Sequence, residues 1–205
     1  MNKQIIIVDD KDNAIGYGEK MEVHQKELLH RAFSIFIFDW SDQKMLIQRR
    51  AKGKYHSGGL WTNACCSHPR KDETMEKCLS ERLKEELGFE KQFRIADPND
   101  SESLLDGDDV IYSCGSFKYY ARFGSLSEYE IDHVFLYSPV MQRFSKSDFI
   151  GNPEEADTLQ WITIDELRKW MSDSPEEFTA WFGKAFELAF RVLERQRNTW
   201  LYRKE

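Results

Sequence analysis

A thiol and an imidazole stand two residues apart in the stretch Trp-Thr-Asn-Ala-Cys-Cys-Ser-His-Pro, residues 61 to 69. If that stretch is extended, Cys66 and His68 project to the same side, because strand side chains alternate. A proton donor or nucleophile then lies beside a metal-ligating side chain, and Pro69 ends the regular structure. Such a pair can equally be structural, so its meaning depends on what the rest of the chain supplies. Glu128 and Glu130 share one face of a strand, with Asp132 next along it. Like charges so placed repel unless a cation sits between them or the strand is an exposed edge. His24 and His30, two of only five histidines, fall within seven residues. His24, His30, His68, Glu128 and Glu130 together offer three imidazoles and two carboxylates. That mixed nitrogen and oxygen set suits Mn²⁺, Mg²⁺ or Fe²⁺ better than a tetrahedral structural zinc.

Two further features concern charge. On a helix, Met75, Cys78, Leu79, Leu83 and Leu87 make one apolar arc at about 100° per residue, and Arg82 and Glu86 fall inside it. Charges turned toward a core must be paired or must bind something. Either they form a buried ion pair, or the helix looks onto a polar cavity that takes an anion and a cation. Arg49, Arg50, Lys52 and Lys54 form the densest basic patch of an acidic chain. It is either a solvated loop or a phosphate-binding one, since Arg forks match phosphate oxygens and Lys adds point charge.

The elements that must position these groups follow from local pattern. Gln4 to Val8 reads as a strand ended by an Asp-Asp-Lys-Asp-Asn turn. His30 to Phe38 and Lys44 to Arg49 read as a hairpin turning at 39–43. A glycine-bearing loop, Ala51 to Gly59, leads into the Trp61 segment. Glu73 to Leu87 is predicted as a helix stopped by Gly88. Phe89 to Ala96, Tyr112 to Arg122, Glu130 to Tyr137 and Leu159 to Ile162 are predicted strands. Thr163 caps a helix with Glu166 as its capping-box partner. Pro175 is expected to open a last helix to about Gln196, with Phe178, Trp181, Phe182, Ala185, Phe186, Ala189, Val192 and Leu193 on one face. Strands with a few helices laid on them predict an α+β fold, with helices layered against a mixed sheet.

Composition bounds the rest. The 205 residues fit one domain, spanning 1–205, with a full core; 40% apolar and 32% charged content fit a folded, soluble globule. The run from Ile5 to Val8 is cut by Asp9 and Asp10 and is no signal peptide. No apolar run is long enough to span a bilayer. The four cysteines read as thiols of a cytoplasmic protein, and a net charge of −7 argues against nucleic acid as a partner. The segment Asp97 to Asp109 holds six acids and no base, and reads as a solvated loop insertion. Cys65, turned away from His68, and Cys78 read as packing residues. His56, His133 and Cys114 acquire no role.

Taken together, His-Arg-Ala-Phe (30–33), Gln-Arg-Arg (48–50), the 61–69 block, Glu-Glu-Leu-Gly (85–88) and Glu-Tyr-Glu-Ile-Asp-His (128–133) resemble the type 1 isopentenyl-diphosphate isomerases, which have a Nudix-like fold. Their order covers about residues 4 to 195. The generic Nudix hydrolase motif is present in degraded form: Glu73, Leu83, Glu85, Glu86, Gly88 and Phe89 fit it, but Glu81 and Arg82 stand where its Arg-Glu pair belongs. That departure argues for a diphosphate that is held rather than cleaved.

The resemblance implies a layered α/β/α domain and isomerisation of isopentenyl diphosphate to dimethylallyl diphosphate. It implies that Cys66 and Glu130 transfer protons, with Tyr119 assisting Glu130. It gives His24, His30, His68, Glu128 and Glu130 as ligands of one ion, Mn²⁺, Mg²⁺ or Zn²⁺. Glu86 would help hold a Mg²⁺ that arrives with the diphosphate. Lys20, Arg50, Lys54 and Arg82 would contact the diphosphate, and Trp181 the hydrocarbon end. The partner would be a small prenyl diphosphate, and the enzyme a monomer or weak dimer. Two other classes remain as alternatives: a Nudix hydrolase of a nucleoside or prenyl diphosphate, and a non-catalytic metal-binding module.

Overall fold

In the computed structural model, which describes residues 4–99, 109–140 and 144–202, a single curled sheet carries the chain. Its strands are β1 (Gln4–Val8), β2 (Ala14–Glu19), β3 (His30–Asp39), β4 (Lys44–Arg50), β5 (Trp61–Asn63), β6 (Cys65–Ser67), β7 (Arg94–Ala96), β8 (Val110–Phe123), β9 (Leu126–Tyr137) and β10 (Ala156–Thr163). The helices are α1 (Lys20–Gln25), α2 (Met75–Leu87), α3 (Ile164–Asp173) and α4 (Phe182–Tyr202). The main path runs β10-β4-β3-β9-β8-β7, with β1, β2, β5 and β6 attached beside it. The β3/β9 and β7/β8 pairs are parallel and the rest antiparallel, so the sheet is mixed.

Strand β3 is the organising element, and both of its faces are covered. Phe36 and Phe38 pack in one cluster with Phe182, Phe186 and Ala189 of α4. Phe33, Ile35 and Ile37 pack in another with Cys78, Leu79, Leu83 and Leu87 of α2. Burial on both faces accounts for its nearly unbroken apolar sequence. The expected layering of helices on both sides of a mixed sheet is therefore present.

The β3/β4 hairpin forms as expected, but the two strands pair only over Ile37–Asp39 and Lys44–Leu46. Beyond that they part: β6 takes the edge of β3 and β5 that of β4. The opening between them is where the functional side chains collect.

Several boundaries differ from expectation. Helix α2 starts at Met75, not Glu73, because the Thr74 hydroxyl accepts from Lys77 N at 3.3 Å and makes Thr74 the cap. It ends at Gly88, whose φ of 65° is left-handed. The predicted strand 89–96 is only Arg94–Ala96. Phe89 and Phe93 are buried anchors of the α2-side core, and Phe93 N donates to Ser80 Oγ at 3.2 Å instead of to a sheet neighbour.

The last helix does not open at Pro175. Pro175–Glu177 forms one 3₁₀ turn, and Thr179 N then donates to Trp61 O at 3.0 Å. That bond draws 178–179 into an extended bridge against β5, and α4 begins at Phe182. Trp181 therefore precedes the helix. Thr163 and Glu166 form the expected capping box at α3. Elements β2 and α1 carry no clear sequence signal: β2 is largely exposed and α1 is six residues long without a side-chain cap. Residues 100–108 of the acidic segment lie outside the described residues. No helix among the described residues is long and apolar enough to cross a membrane.

Candidate active site

A cavity opens where β3, β6, β8 and β9 meet α2 and the loop after β4. Lys20, Arg50, Lys54, Cys66, His68, Arg82, Glu86, Tyr119, Glu128, Glu130 and Trp181 line it, and His24 and His30 lie beside Glu130 and His68. The site residues that the resemblance implies thus come to one place, whereas Arg49 and Lys52 of the basic patch do not: Arg49 pairs with Asp157 at 2.7 Å and Lys52 is exposed.

Register explains the convergence. Parallel pairing sets His30 opposite Glu130, and antiparallel pairing sets Tyr119 opposite Glu130 from the other side. Period-two alternation carries Glu128, Glu130 and Asp132 to the same face of β9. On the opposite edge of β3, β6 places Cys66 across from Ser34. The same alternation turns Cys65 into the α2-side core, fully buried. The thiol of Cys66 and the carboxyl of Glu130 therefore reach the cavity from opposite edges of β3.

The histidines are held in one tautomer. His24 Nδ1 lies 2.7 Å from Lys20 O and His30 Nδ1 2.7 Å from Leu28 O. A carbonyl only accepts, so each Nδ1 carries the hydrogen and each Nε2 keeps a lone pair. Both rings are fully buried and neither Nε2 has a hydrogen-bond partner. The ligand atoms of His24, His30, His68 and Glu130 all lie within 4.8 Å of one another. Orphaned buried lone pairs beside a carboxylate are costly, and a divalent cation satisfies all of them. The residues present fit a metal ion.

Electrostatics divide the carboxyls. Burial would raise Glu130, but its contact with His68 Nε2 at 2.9 Å holds it well below the usual range. Glu128 is pushed well above that range by burial and by the charge on Glu130. Tyr119 links the two, donating to Glu130 Oε2 at 2.6 Å and approaching Glu128 Oε2 at 3.1 Å. Burial pushes the Cys66 thiol up to about 12 even though Arg50 Nη1 lies 3.5 Å from its sulfur. Burial and the His30 ring lower His24 to about 4, and burial also drives His68 well below its ordinary value; both are neutral at pH 7, the form that ligates.

The basic groups line the other wall. Arg82 Nη2 binds Glu86 Oε1 at 2.8 Å, so the ion pair read from the helix exists, and both partners also face the cavity. Lys54 pairs with Glu155 at 2.5 Å. Burial and the nearby Lys54 bring Lys20 down to about 8. The Trp181 indole is oriented by its Nε1 donating to Asn63 Oδ1 at 3.2 Å, with the Arg50 guanidinium 5.5 Å from the ring centroid.

Four residues here have no site role in the sequence reading, although it places Asp132 on the face of Glu128 and Glu130. Tyr55 and Glu155 line the cavity, and Asp132, buried with Ser34 Oγ donating to it at 2.8 Å, lies on its floor. His56, to which no role was given, stands 2.9 Å from Glu128 Oε1. Its one local signal is its place between Lys54 and a pair of glycines. Those glycines matter: a Cβ on Gly58 would meet Lys52 O at 2.7 Å, and Gly59 has φ +82°. Gly58→Ala should shift the loop that presents Lys54 and His56 and lower kcat/KM about tenfold to a hundredfold. Steady-state kinetics with a near-native melting profile check this; unchanged kcat/KM would show that the loop tolerates the methyl.

The NUDIX domain model matches residues 28–182. The isopentenyl-diphosphate Delta-isomerase of Serratia proteamaculans is 42% identical over 185 residues, 89% of this chain and 88% of that protein. The isopentenyl-diphosphate Delta-isomerase 2 of Aromatoleum aromaticum is 40% identical over 190 residues, 91% of this chain and 86% of that one. Among solved structures, a Deinococcus radiodurans protein superposes with a TM-score of 0.57 at 17% identity, covering 83% of this chain and 89% of its own. The MutT protein of Methanosarcina mazei gives 0.53 at 18% identity, covering 80% and 94%. At those identities the structural likeness establishes the fold alone. With the sequence relatives matched over most of its length, the chain belongs to the isopentenyl-diphosphate Delta-isomerase family, built on a Nudix domain.

Proposed function

We infer that this chain, working as one domain, interconverts isopentenyl diphosphate and dimethylallyl diphosphate. Moving the double bond requires a proton added at the terminal alkene carbon and another removed from the carbon on the far side of the branch. The observation that carries the reading is the approach of Cys66 and Glu130 to one cavity from opposite edges of β3. At rest Cys66 keeps its proton and Glu130 lacks one, so the pair holds one group able to give and one able to take. Tyr119, itself pushed well above its ordinary value by burial, stays protonated and steadies Glu130 through the 2.6 Å bond.

The intermediate is a tertiary carbocation with no heteroatom beside it. The face of Trp181 offers it a cation–π contact of about 2 kcal/mol when desolvated. Arg50, Lys20, Lys54 and Arg82 supply positive charge for the diphosphate. His24, His30, His68, Glu128 and Glu130 would hold an ion such as Mn²⁺, Mg²⁺ or Zn²⁺, and Glu86 a Mg²⁺ brought with the diphosphate. Bound there, such ions fix the orientation of Glu130, adjust its proton affinity and offset the diphosphate charge.

Arg82→Ala should raise KM roughly tenfold or more with a smaller change in kcat, because a charge-assisted contact to an unreacting group contributes mainly binding. It should also lower the melting temperature, since it strands the buried Glu86 carboxylate. Initial-rate kinetics and thermal denaturation read both effects. The reading itself is tested by incubating the protein with isopentenyl diphosphate and Mg²⁺ and measuring allylic isomer and inorganic phosphate together. Isomer without comparable phosphate release is the expected result; steady phosphate release without isomer would favour a hydrolase.

A further inference from the structure

The loop between β4 and β5 brings a fourth imidazole to the carboxylates of β9. His56 is 5% exposed, and its ring is fixed by packing. It stacks on Phe123 with centroids 4.7 Å apart and planes 16° apart, and meets Trp181 edge-on at 6.3 Å. Arg50 Nη2 donates to its carbonyl at 3.4 Å, which ties the loop to the end of β4. The ring so held directs Nε2 at Glu128 Oε1, 2.9 Å away, yet the contact lacks hydrogen-bond geometry and Nε2 has no partner. Nδ1 lies 3.2 Å from Ser57 Oγ, which can take its hydrogen. With Ser57 accepting, His56 carries its lone pair on Nε2, as His24 and His30 do.

A bare nitrogen and a carboxyl oxygen facing each other at this distance need a proton or a cation between them, and the contact lacks the geometry of a shared proton, which leaves the cation. Neighbouring donors on one divalent ion stand about 3 Å apart when each is about 2.1 Å from it. Moreover, His24, His56 and Glu128 place their ligand atoms within 4.8 Å of one another, and His24 belongs equally to the group of His30, His68 and Glu130.

We propose that His56 is a fourth imidazole ligand of the metal centre, joining Glu128 and His24 on the ion that His30, His68 and Glu130 also hold. The proposal rests on the reading of this site as a metal centre. Four imidazoles and two carboxylates complete the protein's donor set, leaving the ion to orient Glu130 rather than to present water. That suits a cavity in which water would capture a carbocation. A nitrogen-rich set also favours a transition ion such as Mn²⁺, Fe²⁺ or Zn²⁺ over Mg²⁺.

The test uses the purified chain stripped with chelator and reloaded with Mn²⁺, compared with His56→Ala and His56→Gln. Pulsed electron paramagnetic resonance counts the imidazole nitrogens coupled to Mn²⁺, and equilibrium titration gives its Kd. The expected result is four coupled imidazoles in the wild type, three in both variants, and a Kd raised about tenfold or more, with a tenfold excess of Mg²⁺ failing to displace Mn²⁺. Gln keeps a hydrogen-bond donor toward Glu128, so the lost coupling separates a ligand from a residue that merely steadies that carboxylate. Three coupled imidazoles in the wild type, or identical coupling in all three proteins, would overturn the assignment while leaving the metal centre standing. No Mn²⁺ uptake by the wild type would overturn the metal centre itself, and the assignment with it. Should either variant misfold by circular dichroism, the wild-type nitrogen count alone decides.

Discussion

Cys66→Ala is expected to lower kcat for isomerisation about a thousandfold or more, within or beyond the range that a positioned acid or base contributes, while the protein still folds. Cys66 is half-buried at the cavity wall, so losing its sulfur opens the cavity and leaves the core intact. Cys65→Ala is the matched control. Cys65 is wholly buried in the α2-side cluster, so it should cost about 1 kcal/mol of stability for a small core truncation and leave kcat within a few-fold. The two residues are adjacent and chemically identical, and only strand alternation separates their roles. If Cys65 were the thiol whose loss stops turnover, β6 would present the opposite face to the cavity. Stopped-time product assays with circular dichroism on both variants make the comparison.

Glu130→Gln should be comparably severe and should act on two observables at once. Its carboxylate contacts His30, His68 and Tyr119, so it is both a proton-transfer group and the hub of the histidine cluster. The amide preserves size and can still meet Tyr119, but it has no charge to offer a cation and accepts no proton. Turnover should fall about a thousandfold or more, and the metal retained after gel filtration should fall with it, because one anionic donor is gone. Elemental analysis beside the activity assay reads both. Retention of full metal content with full turnover would remove Glu130 from both roles.

How much of this was legible in the sequence depended on how local each signal was. The β3/β4 hairpin, the Thr163–Glu166 capping box and the Gly88 stop rest on neighbours within a few residues, and they form where the pattern puts them. The split between Cys65 and Cys66 needed only alternation. Arg82 and Glu86 stood out because they broke an apolar arc. The spacing of Trp181 matches a helix face; the bond from Thr179 N to Trp61 O, made between distant segments, overrides that periodicity.

The contact between His30 and Glu130 depends on a parallel register that no local pattern encodes. For the same reason nothing in the sequence distinguished His56 from any other loop histidine. Its position follows from the closure of a glycine loop and from stacking on Phe123 across the sheet. Asp132 could be seen to share a face with Glu130, but its burial and its bond from Ser34 follow from β3 lying alongside β9.

The central claim, that two protein groups on opposite sides of one cavity move separate protons, is tested most directly in deuterated water. Isopentenyl diphosphate is incubated with the protein and Mg²⁺, and the product is followed by proton and deuterium NMR. The account predicts dimethylallyl diphosphate bearing deuterium in a methyl group, because the added proton comes from an exchangeable group and not from the carbon that loses one. Dimethylallyl diphosphate free of solvent deuterium would mean that a single group carries the same proton across, contradicting the assignment of the two steps to Cys66 and Glu130.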